Sequence, residues 1–137
     1  MGGSDKKLIR IIDANFNRAK EGLRVCEDVC RYAWDRTSET KVLKKIRHDL
    51  SSAIEPVGVS KLLESRDVHG DVGRPSSKSE FERADLNDVF YANAQRVKES
   101  LRVLEEITKL VNPSIAQKIK ELRYCFYAIE KEMACRG

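Results

Sequence analysis

The sequence contains few residues of the types that interrupt regular structure. Seven glycines and three prolines occur in 137 residues, and aromatic residues make up only 7%. Strand-rich and disordered chains normally carry more turn residues, and a disordered chain would not reach the 41% of apolar residues found here. We therefore expect an all-α protein, and the length fits a single helical domain over residues 1–137.

Long apolar runs and common catalytic motifs are also missing. No stretch is long enough to cross a membrane or to serve as a secretory leader, and Lys6 stands where a myristoylation signal has Ser or Thr. We therefore expect a cytoplasmic protein with no membrane contact. The patterns GxxxxGK[ST], GxGxxG, HExxH and GxSxG do not occur, so the familiar nucleotide, zinc and serine-hydrolase motifs give no assignment.

Charge of one sign is not concentrated anywhere in the chain. The net charge is +4, and acidic and basic residues alternate along every predicted helix. A nucleic-acid-binding surface normally needs a one-sided stripe of Lys and Arg, so we expect no nucleic-acid partner. A helical bundle that binds duplexes in a salt-sensitive way remains an alternative.

The chain does contain an internal repeat. "DANFNRAKEGLRVCED", residues 13–28, matches "YANAQRVKESLRVLEE", residues 91–106. Nine residues recur at a constant offset: Ala14, Asn15, Arg18, Lys20, Glu21, Leu23, Arg24, Val25 and Glu27 correspond to Ala92, Asn93, Arg96, Lys98, Glu99, Leu101, Arg102, Val103 and Glu105. A duplicated packing unit needs to repeat only its apolar positions, so the repeated polar residues require an explanation.

The repeat also bears on the four cysteines. Cys26 and Cys30 are one helical turn apart, the spacing of a metal-ligand pair, but their counterparts are Leu104 and Thr108. We therefore favour buried thiols over a ligand pair, and we expect no disulfide in the cytoplasm.

Apolar spacing divides the chain into two helical hairpins. The first covers 7–56: a helix from Lys7 to Trp34 with a stripe that includes Phe16 and Ala33, then a helix capped by Thr37 or Ser38 that ends at Pro56. A short helix, "VSKLLES", and the long loop "RDVHGDVGRPSSKSEF" occupy most of 57–82.

The second hairpin covers 83–135. Its first helix opens at Asp85, with Asp88 as capping partner, and runs to about Val111, while Asn112 and Pro113 start a helix that reaches about Ala134. Arg47 in "KKIRHDLSSAIE" matches Arg123 in "KELRYCFYAIE", and both segments end in Ala-Ile-Glu, with a one-residue slip between the two matches. The fold expected is a duplicated helical hairpin that forms a four-helix bundle with pseudo-two-fold symmetry and a long functional loop between the halves.

A helical wheel places the repeated polar residues on one flank of the apolar stripe. Asn15, Arg18 and Gly22 form a seam on the first helix, and Asn93, Arg96 and Ser100 repeat it. Small residues in both copies indicate that a helix or a ligand approaches closely. Exposed i,i+3 ion pairs would explain either copy alone, whereas two copies in register favour arginines that bind carboxylate or phosphate, with both sets facing one cleft.

Four motifs in order, "RIIDANFNRAKEGLRVCEDVCRY", "RDVHGDVG", "ANAQRVKESLRVLEE" and "ELRYCFYAIE", resemble a small family that occurs alone or fused to thiamine-phosphate synthase. The family comprises hydroxymethylpyrimidine-phosphate kinases unrelated to the ribokinase-like enzyme. The resemblance implies thiamine biosynthesis: ATP-dependent phosphorylation of 4-amino-5-hydroxymethyl-2-methylpyrimidine phosphate to the diphosphate, with Mg²⁺ and without activity on the free alcohol. The alternative is a non-catalytic helical module that binds a thiamine intermediate or accompanies thiamine-phosphate synthase. A homo-oligomer is compatible with either.

We assign site roles as hypotheses for this reaction. Arginines would align the phosphates, which suits a site rich in Arg and carboxylate and poor in His. The catalytic candidates are Arg18, Arg24, Arg96, Arg102 and Arg66. The substrate-binding candidates are Asn15, Asn93, Glu21, Glu99, Arg47 and Arg123, of which the glutamates would position arginines. Asp67 and Asp71 would hold Mg²⁺.

Overall fold

The computed structural model describes residues 3–75 and 82–136. Five α-helices occur there: α1 Gly3–Asp28, α2 Thr37–Ile54, α3 Val59–Ser65, α4 Leu86–Thr108 and α5 Pro113–Arg136. These two ranges contain no strand, so the all-α prediction is confirmed. None of the described helices combines the length and the apolar character that a membrane span requires.

The two predicted hairpins pack into a bundle. α1 contacts α2 and α4, α5 contacts the same two helices, and α3 lies on α1. Cys26 of α1 lies beside Phe90 while Gly22 lies beside Val97, so α1 and α4 run antiparallel. The core between the helices is mostly apolar. Its fully buried large aliphatic and aromatic side chains are Ile12, Leu23, Leu43, Leu50, Ile54, Val97, Leu101, Leu104, Ile119 and Phe126.

The end of the first long helix differs from the prediction. α1 continues into a π-helical turn, Val29–Ala33, and Asp35 then adopts a left-handed conformation with φ of 50°. A π-turn needs more residues to complete a rotation, so positions after it no longer follow α-helical spacing. Val29 and Cys30 are buried here, whereas Ala33, predicted to continue the apolar stripe, is exposed.

Helix starts follow the predicted capping chemistry in the second hairpin but not in the first. The carboxylate of Asp85 accepts a hydrogen bond from the backbone N–H of Asp88 at 2.9 Å, and Asn112 Oδ1 accepts one from Ser114 N at 3.0 Å. α2 has Arg36 at its N-cap, so the prediction of Thr37 or Ser38 was wrong. Arg36 stabilises this start through its guanidinium, which binds Glu39 at 2.8 Å.

The second helices of the hairpins end differently. α2 gives way to a 3₁₀ turn at Glu55–Val57 that contains Pro56, and Gly58, with φ of 97°, redirects the chain into α3. In the matching "AIE" segment of α5 the next residue is Lys131, and the helix continues to Arg136. Because only the first half turns back, the chain after α3 passes over α1. The loop is irregular over 66–75, and its predicted continuation, 76–81, lies outside the described residues.

Candidate functional site

Two of the repeated glutamates, Glu27 and Glu105, are buried and bound by arginines, whereas Glu21 and Glu99 are exposed. Glu27 is 2% exposed and accepts a hydrogen bond from Arg47 Nε at 2.9 Å, while Arg24 lies 3.6 Å away on its other side. Burying a carboxylate is costly unless a cation and hydrogen bonds replace its contacts with water. We call Arg24, Glu27 and Arg47 the first carboxylate cluster.

The second half repeats this arrangement. Glu105, 4% exposed, accepts a hydrogen bond from Arg123 Nε at 2.8 Å, and Arg102 Nη1 lies 3.3 Å away. The hydrogen bond that Arg123 donates to Glu105 raises the pKa of Arg123 above its ordinary value. We call Arg102, Glu105 and Arg123 the second carboxylate cluster. Both clusters join the two helices of one hairpin, α1 to α2 and α4 to α5, so packing alone accounts for repeating these polar residues.

The repeated asparagines also have matching local roles. Asn15 Nδ2 donates to the carbonyl oxygen of Ile11 at 2.9 Å, and Asn93 Nδ2 donates to that of Val89 at 2.8 Å. Each amide therefore binds its own helix one turn back.

The close approach predicted at Gly22 is made by a helix. A Cβ at this position would lie 2.8 Å from Val97 Cγ2 and 3.1 Å from the carbonyl oxygen of Asn93. α4 is therefore the neighbour that requires a small residue here.

The loop after α3 forms a cleft of about 790 Å³ with the outer face of α1. Six of the predicted site residues line it: Asn15, Arg18, Glu21, Arg66, Asp67 and Asp71. Lys7, Arg10 and Arg74 add cationic side chains. The cleft thus contains five basic residues close to four carboxylates, those of Asp13, Glu21, Asp67 and Asp71.

The other predicted residues lie elsewhere. Asn93, Arg96 and Glu99 do not line this cleft, so the two repeated sets do not converge there. Arg96 and Glu99 are exposed on α4. Arg24, Arg47, Arg102 and Arg123 belong to the two carboxylate clusters.

The loop is anchored to α1 by an ion pair. Arg66 donates from Nε and Nη2 to the two carboxylate oxygens of Asp13, both at 2.8 Å. Asp13 is 5% exposed and also accepts from Asn17 Nδ2 at 3.1 Å. The hydrogen bond to Asp13 raises the pKa of Arg66. The pair therefore fixes the first residue after α3 against the helix.

Two aspartates shape the remainder of the described loop. Asp67 Oδ1 accepts from Gly70 N at 2.8 Å, and Asp71 Oδ1 accepts from Gly73 N at 2.9 Å. A side chain at Gly70 would overlap the carboxylate of Asp67. The other oxygen, Oδ2, of each aspartate has no partner among the residues the structure describes. Within that part of the chain, no group of three or more His, Cys, Asp or Glu side chains could hold a metal ion by itself.

The buried-thiol prediction is confirmed for two cysteines. Cys26 and Cys30 are fully buried, and burial raises the pKa of Cys26 to about 12 and that of Cys30 to about 11. Cys125 is exposed, and the side chain of Cys135 lies outside the described residues.

Sequence analysis missed Asp13, Asn17 and the N-terminal cations of α1. Asp13 is the first residue of the repeated stretch, but its counterpart is Tyr91, so a search for repeated polar residues passes over it. Lys7 and Arg10 lie before the repeat. These residues could have been found by looking for polar residues that occur in one copy of the repeat and not in the other.

A different cleft lies at one end of the bundle. It has a volume of about 500 Å³, and apolar residues such as Leu8, Ile9, Val57, Leu110 and Val111 contribute much of its lining. Among the residues that the structure describes, no arginine lines it. The cleft between α1 and the loop is therefore better suited to bind an anion.

Comparison with known proteins relates the whole arrangement to one family. The model of the ThiD2 family matches residues 10–132. Proteins named thiamine-phosphate synthase are similar: that of Nostoc punctiforme is 40% identical over 127 residues, covering 92% of this chain and 35% of its own length. That of Rhodopirellula baltica is 41% identical over 129 residues, covering 93% and 34% respectively.

The chain spans about a third of the length of the curated relatives it matches. No solved structure matches it. Because the family model covers most of the residues, from Arg10 in α1 to Glu132 in α5, the chain belongs to the ThiD2 family.

Proposed function

We propose that this protein acts in thiamine biosynthesis and binds the phosphate of a hydroxymethylpyrimidine phosphate in the cleft between α1 and the loop. One observation carries the proposal: cationic side chains surround a space of about 790 Å³. These side chains are Lys7, Arg10, Arg18, Arg66 and Arg74. Guanidinium groups match the geometry of phosphate oxygens and bind them with charge-assisted hydrogen bonds.

Three of these cations are available to a ligand. Lys7, Arg10 and Arg18 make no hydrogen bond or ion pair with the residues that the structure describes, and Arg10 and Arg18 are exposed. An arginine without a carboxylate partner keeps all its donors for an incoming anion. The free alcohol, which has no phosphate, would leave these donors unused, so the phosphate ester should bind more tightly.

The names of the two relatives support a role in thiamine biosynthesis and a close relation to thiamine-phosphate synthase. Both are named thiamine-phosphate synthase, and the segment similar to this chain makes up about a third of each. A helical module that binds a thiamine intermediate and accompanies thiamine-phosphate synthase agrees with these names. This is the form of the proposal that the comparisons favour.

A second candidate is phosphorylation of the bound ester by ATP. An oxygen of the substrate phosphate would form a bond to the γ-phosphorus of ATP, while the bond from that phosphorus to the β–γ bridging oxygen breaks and ADP leaves. The ester is mostly dianionic at neutral pH because its second pKa is about 6, so a strong base is not needed. The specific observation in favour is that Asp67 and Asp71 lie in the same cleft as the arginines.

The loop aspartates fit Mg²⁺ in this second candidate. Mg²⁺ in nucleotide sites usually takes one or two carboxylates together with phosphate oxygens and water. Asp67 and Asp71 each have one carboxylate oxygen bonded to a loop N–H and one without a described partner. The two aspartates and the phosphates would hold the ion together, and the ion would neutralise part of the charge of the phosphates.

Calorimetry and a coupled ADP assay test these proposals. The purified chain is titrated with hydroxymethylpyrimidine phosphate and, as control, with the alcohol. ADP release is then measured with Mg·ATP. Binding of the ester without ADP release supports the binding module, and ester-dependent release of ADP supports the kinase. If the folded chain binds neither compound, the proposed function is wrong.

A further inference from the structure

We infer that Asp13 is a positioning residue that holds Arg66 as an anion-binding group, and that, within the described ranges 3–75 and 82–136, only the first half of the duplicated bundle has such a site. The inference rests on the proposed function, because the anion concerned is the phosphate of the cleft ligand. It adds a residue that the repeat did not indicate and predicts one bound anion per chain.

The contacts of Asp13 fix the direction of the Arg66 side chain. Both carboxylate oxygens accept from Arg66 at 2.8 Å, so the planar guanidinium is held at two points rather than one. Asn17 Nδ2 donates to the same carboxylate at 3.1 Å and to the Asp13 carbonyl oxygen at 2.9 Å. Asp13 is 5% exposed, so little of it can contact a ligand, but its carboxylate is held in place and can orient Arg66.

The contact with Asp13 leaves part of the guanidinium free. Nε and Nη2 bind the carboxylate, whereas Nη1 has no partner among the described residues. The Arg66 side chain is 42% exposed, and the residue lines the cleft together with Arg18. A guanidinium has five N–H donors, so those not used by Asp13 can bind a phosphate oxygen.

In the described part of the second half, 82–136, neither member of this pair has an equivalent. The counterpart of Asp13 is Tyr91, which is 51% exposed. Arg66 reaches α1 because the chain turns back after Pro56, whereas Lys131 stands at the matching place in α5 and that helix continues. Both carboxylate clusters are kept, so the halves share their packing and differ in this pair.

Positioning and plain electrostatics predict opposite effects of removing the charge of Asp13. Without that negative charge the cleft becomes more positive, and an electrostatic role alone would give tighter phosphate binding. A positioning role gives weaker binding, because Arg66 loses its two-point support and its side chain becomes free to rotate. The sign of the change in affinity therefore separates the two.

The experiment measures binding of hydroxymethylpyrimidine phosphate by calorimetry to wild type, Asp13→Asn, Arg66→Lys and the double variant. Asp49→Asn is the matched control, since Asp49 pairs with Lys45 on the exposed face of α2 and the change removes the same charge. Circular dichroism first establishes that each variant is folded. Arg66→Lys keeps the charge and tests the inference if Asp13→Asn does not fold.

We expect one ligand per wild-type chain, about tenfold weaker binding by each single cleft variant, and no change in Asp49→Asn. Because Asp13 acts through Arg66, the double variant should bind no more weakly than Arg66→Lys.

Equal or tighter binding by a folded Asp13→Asn variant would overturn the positioning role. So would wild-type affinity in Arg66→Lys, and two ligands per chain would overturn the single site. Absence of binding by wild type would instead reject the proposed function, and the inference with it.

Discussion

Arg47 holds the buried carboxylate of Glu27 through a 2.9 Å hydrogen bond that links α1 to α2. Arg47 was a candidate ligand contact in the sequence, and its side chain is only 15% exposed. The pair is repeated in the second hairpin, where its members join α4 to α5. Polar residues can thus be retained in both copies of a repeat because they position helices.

We expect Glu27→Ala to lower the free energy of unfolding by about 3 kcal/mol, because it leaves Arg47 buried without its anion. Arg24→Ala should lower it by less than about 1 kcal/mol, since Arg24 is 55% exposed and lies 3.6 Å from the carboxylate. Urea unfolding measures both. Equal losses would contradict this, because they would show that Arg24 contributes as much to stability as the carboxylate of Glu27 itself. Loss of ligand binding in a stable Arg24→Ala variant would restore its predicted phosphate role.

Arg18 and Arg96 occupy equivalent positions in the repeat and give a matched pair of variants. Arg18 lines the cleft and Arg96 does not. Arg18→Ala should therefore weaken binding of hydroxymethylpyrimidine phosphate about tenfold with little change in Tm, because it removes one charge-assisted contact. Arg96→Ala should have a smaller effect. A tenfold loss in both would mean that the two repeated sets act on one ligand after all.

Gly22→Ala should lower Tm, although alanine normally favours helix formation by about 1 kcal/mol over glycine. The added Cβ would meet Val97 Cγ2 at 2.8 Å and a backbone oxygen of α4 at 3.1 Å, and overpacking of this kind destabilises by about 1–3 kcal/mol. Thermal unfolding followed by circular dichroism measures the change. Making the same change in a Val97→Ala background tests whether the side-chain clash contributes. If Gly22→Ala lowers Tm as much there as in wild type, the contact with the backbone oxygen causes the loss.

The raised pKa values of Cys26 and Cys30 predict a dependence of stability on pH. Their ordinary pKa of 9.0 applies to the unfolded chain, so unfolding releases protons above that pH. Stability contributed by the neutral thiols is complete below pH 9 and is lost as pH rises towards about 11 and 12. The urea concentration at the unfolding midpoint should therefore fall between pH 8 and pH 10.5. In Cys26→Ala the midpoint, compared with that of the same variant at pH 8, should fall by less.

Most of the fold could be predicted because helix spacing and capping are local signals. The Asp85 cap and the Asn112–Pro113 start were recovered from the sequence, since each involves residues within four positions. The N-cap at Arg36 and the π-turn after Asp28 were not, because arginine is not a usual N-cap residue and a π-turn departs from α-helical spacing.

The candidate site was predicted in part for a related reason. Arg18 was predicted from the repeat and Arg66 from the residue types of the loop, but which repeated arginine faces a cleft depends on where the loop crosses the bundle. Asp13 was missed because its partner is 53 residues away and no local pattern joins them. A search for shared polar residues also favours those that build both halves, as Glu27 and Glu105 do.

The proline after "AIE" in the first half has a wider consequence. In a homodimer of identical hairpins, any change that redirects one chain occurs in both subunits, so a loop over one helix comes with a copy over the other. A hairpin duplicated within one chain is free of that constraint. Pro56 and Lys131 can differ while the two carboxylate clusters keep the helix packing of both hairpins the same. One half can therefore acquire a binding site while the other keeps only its structural role.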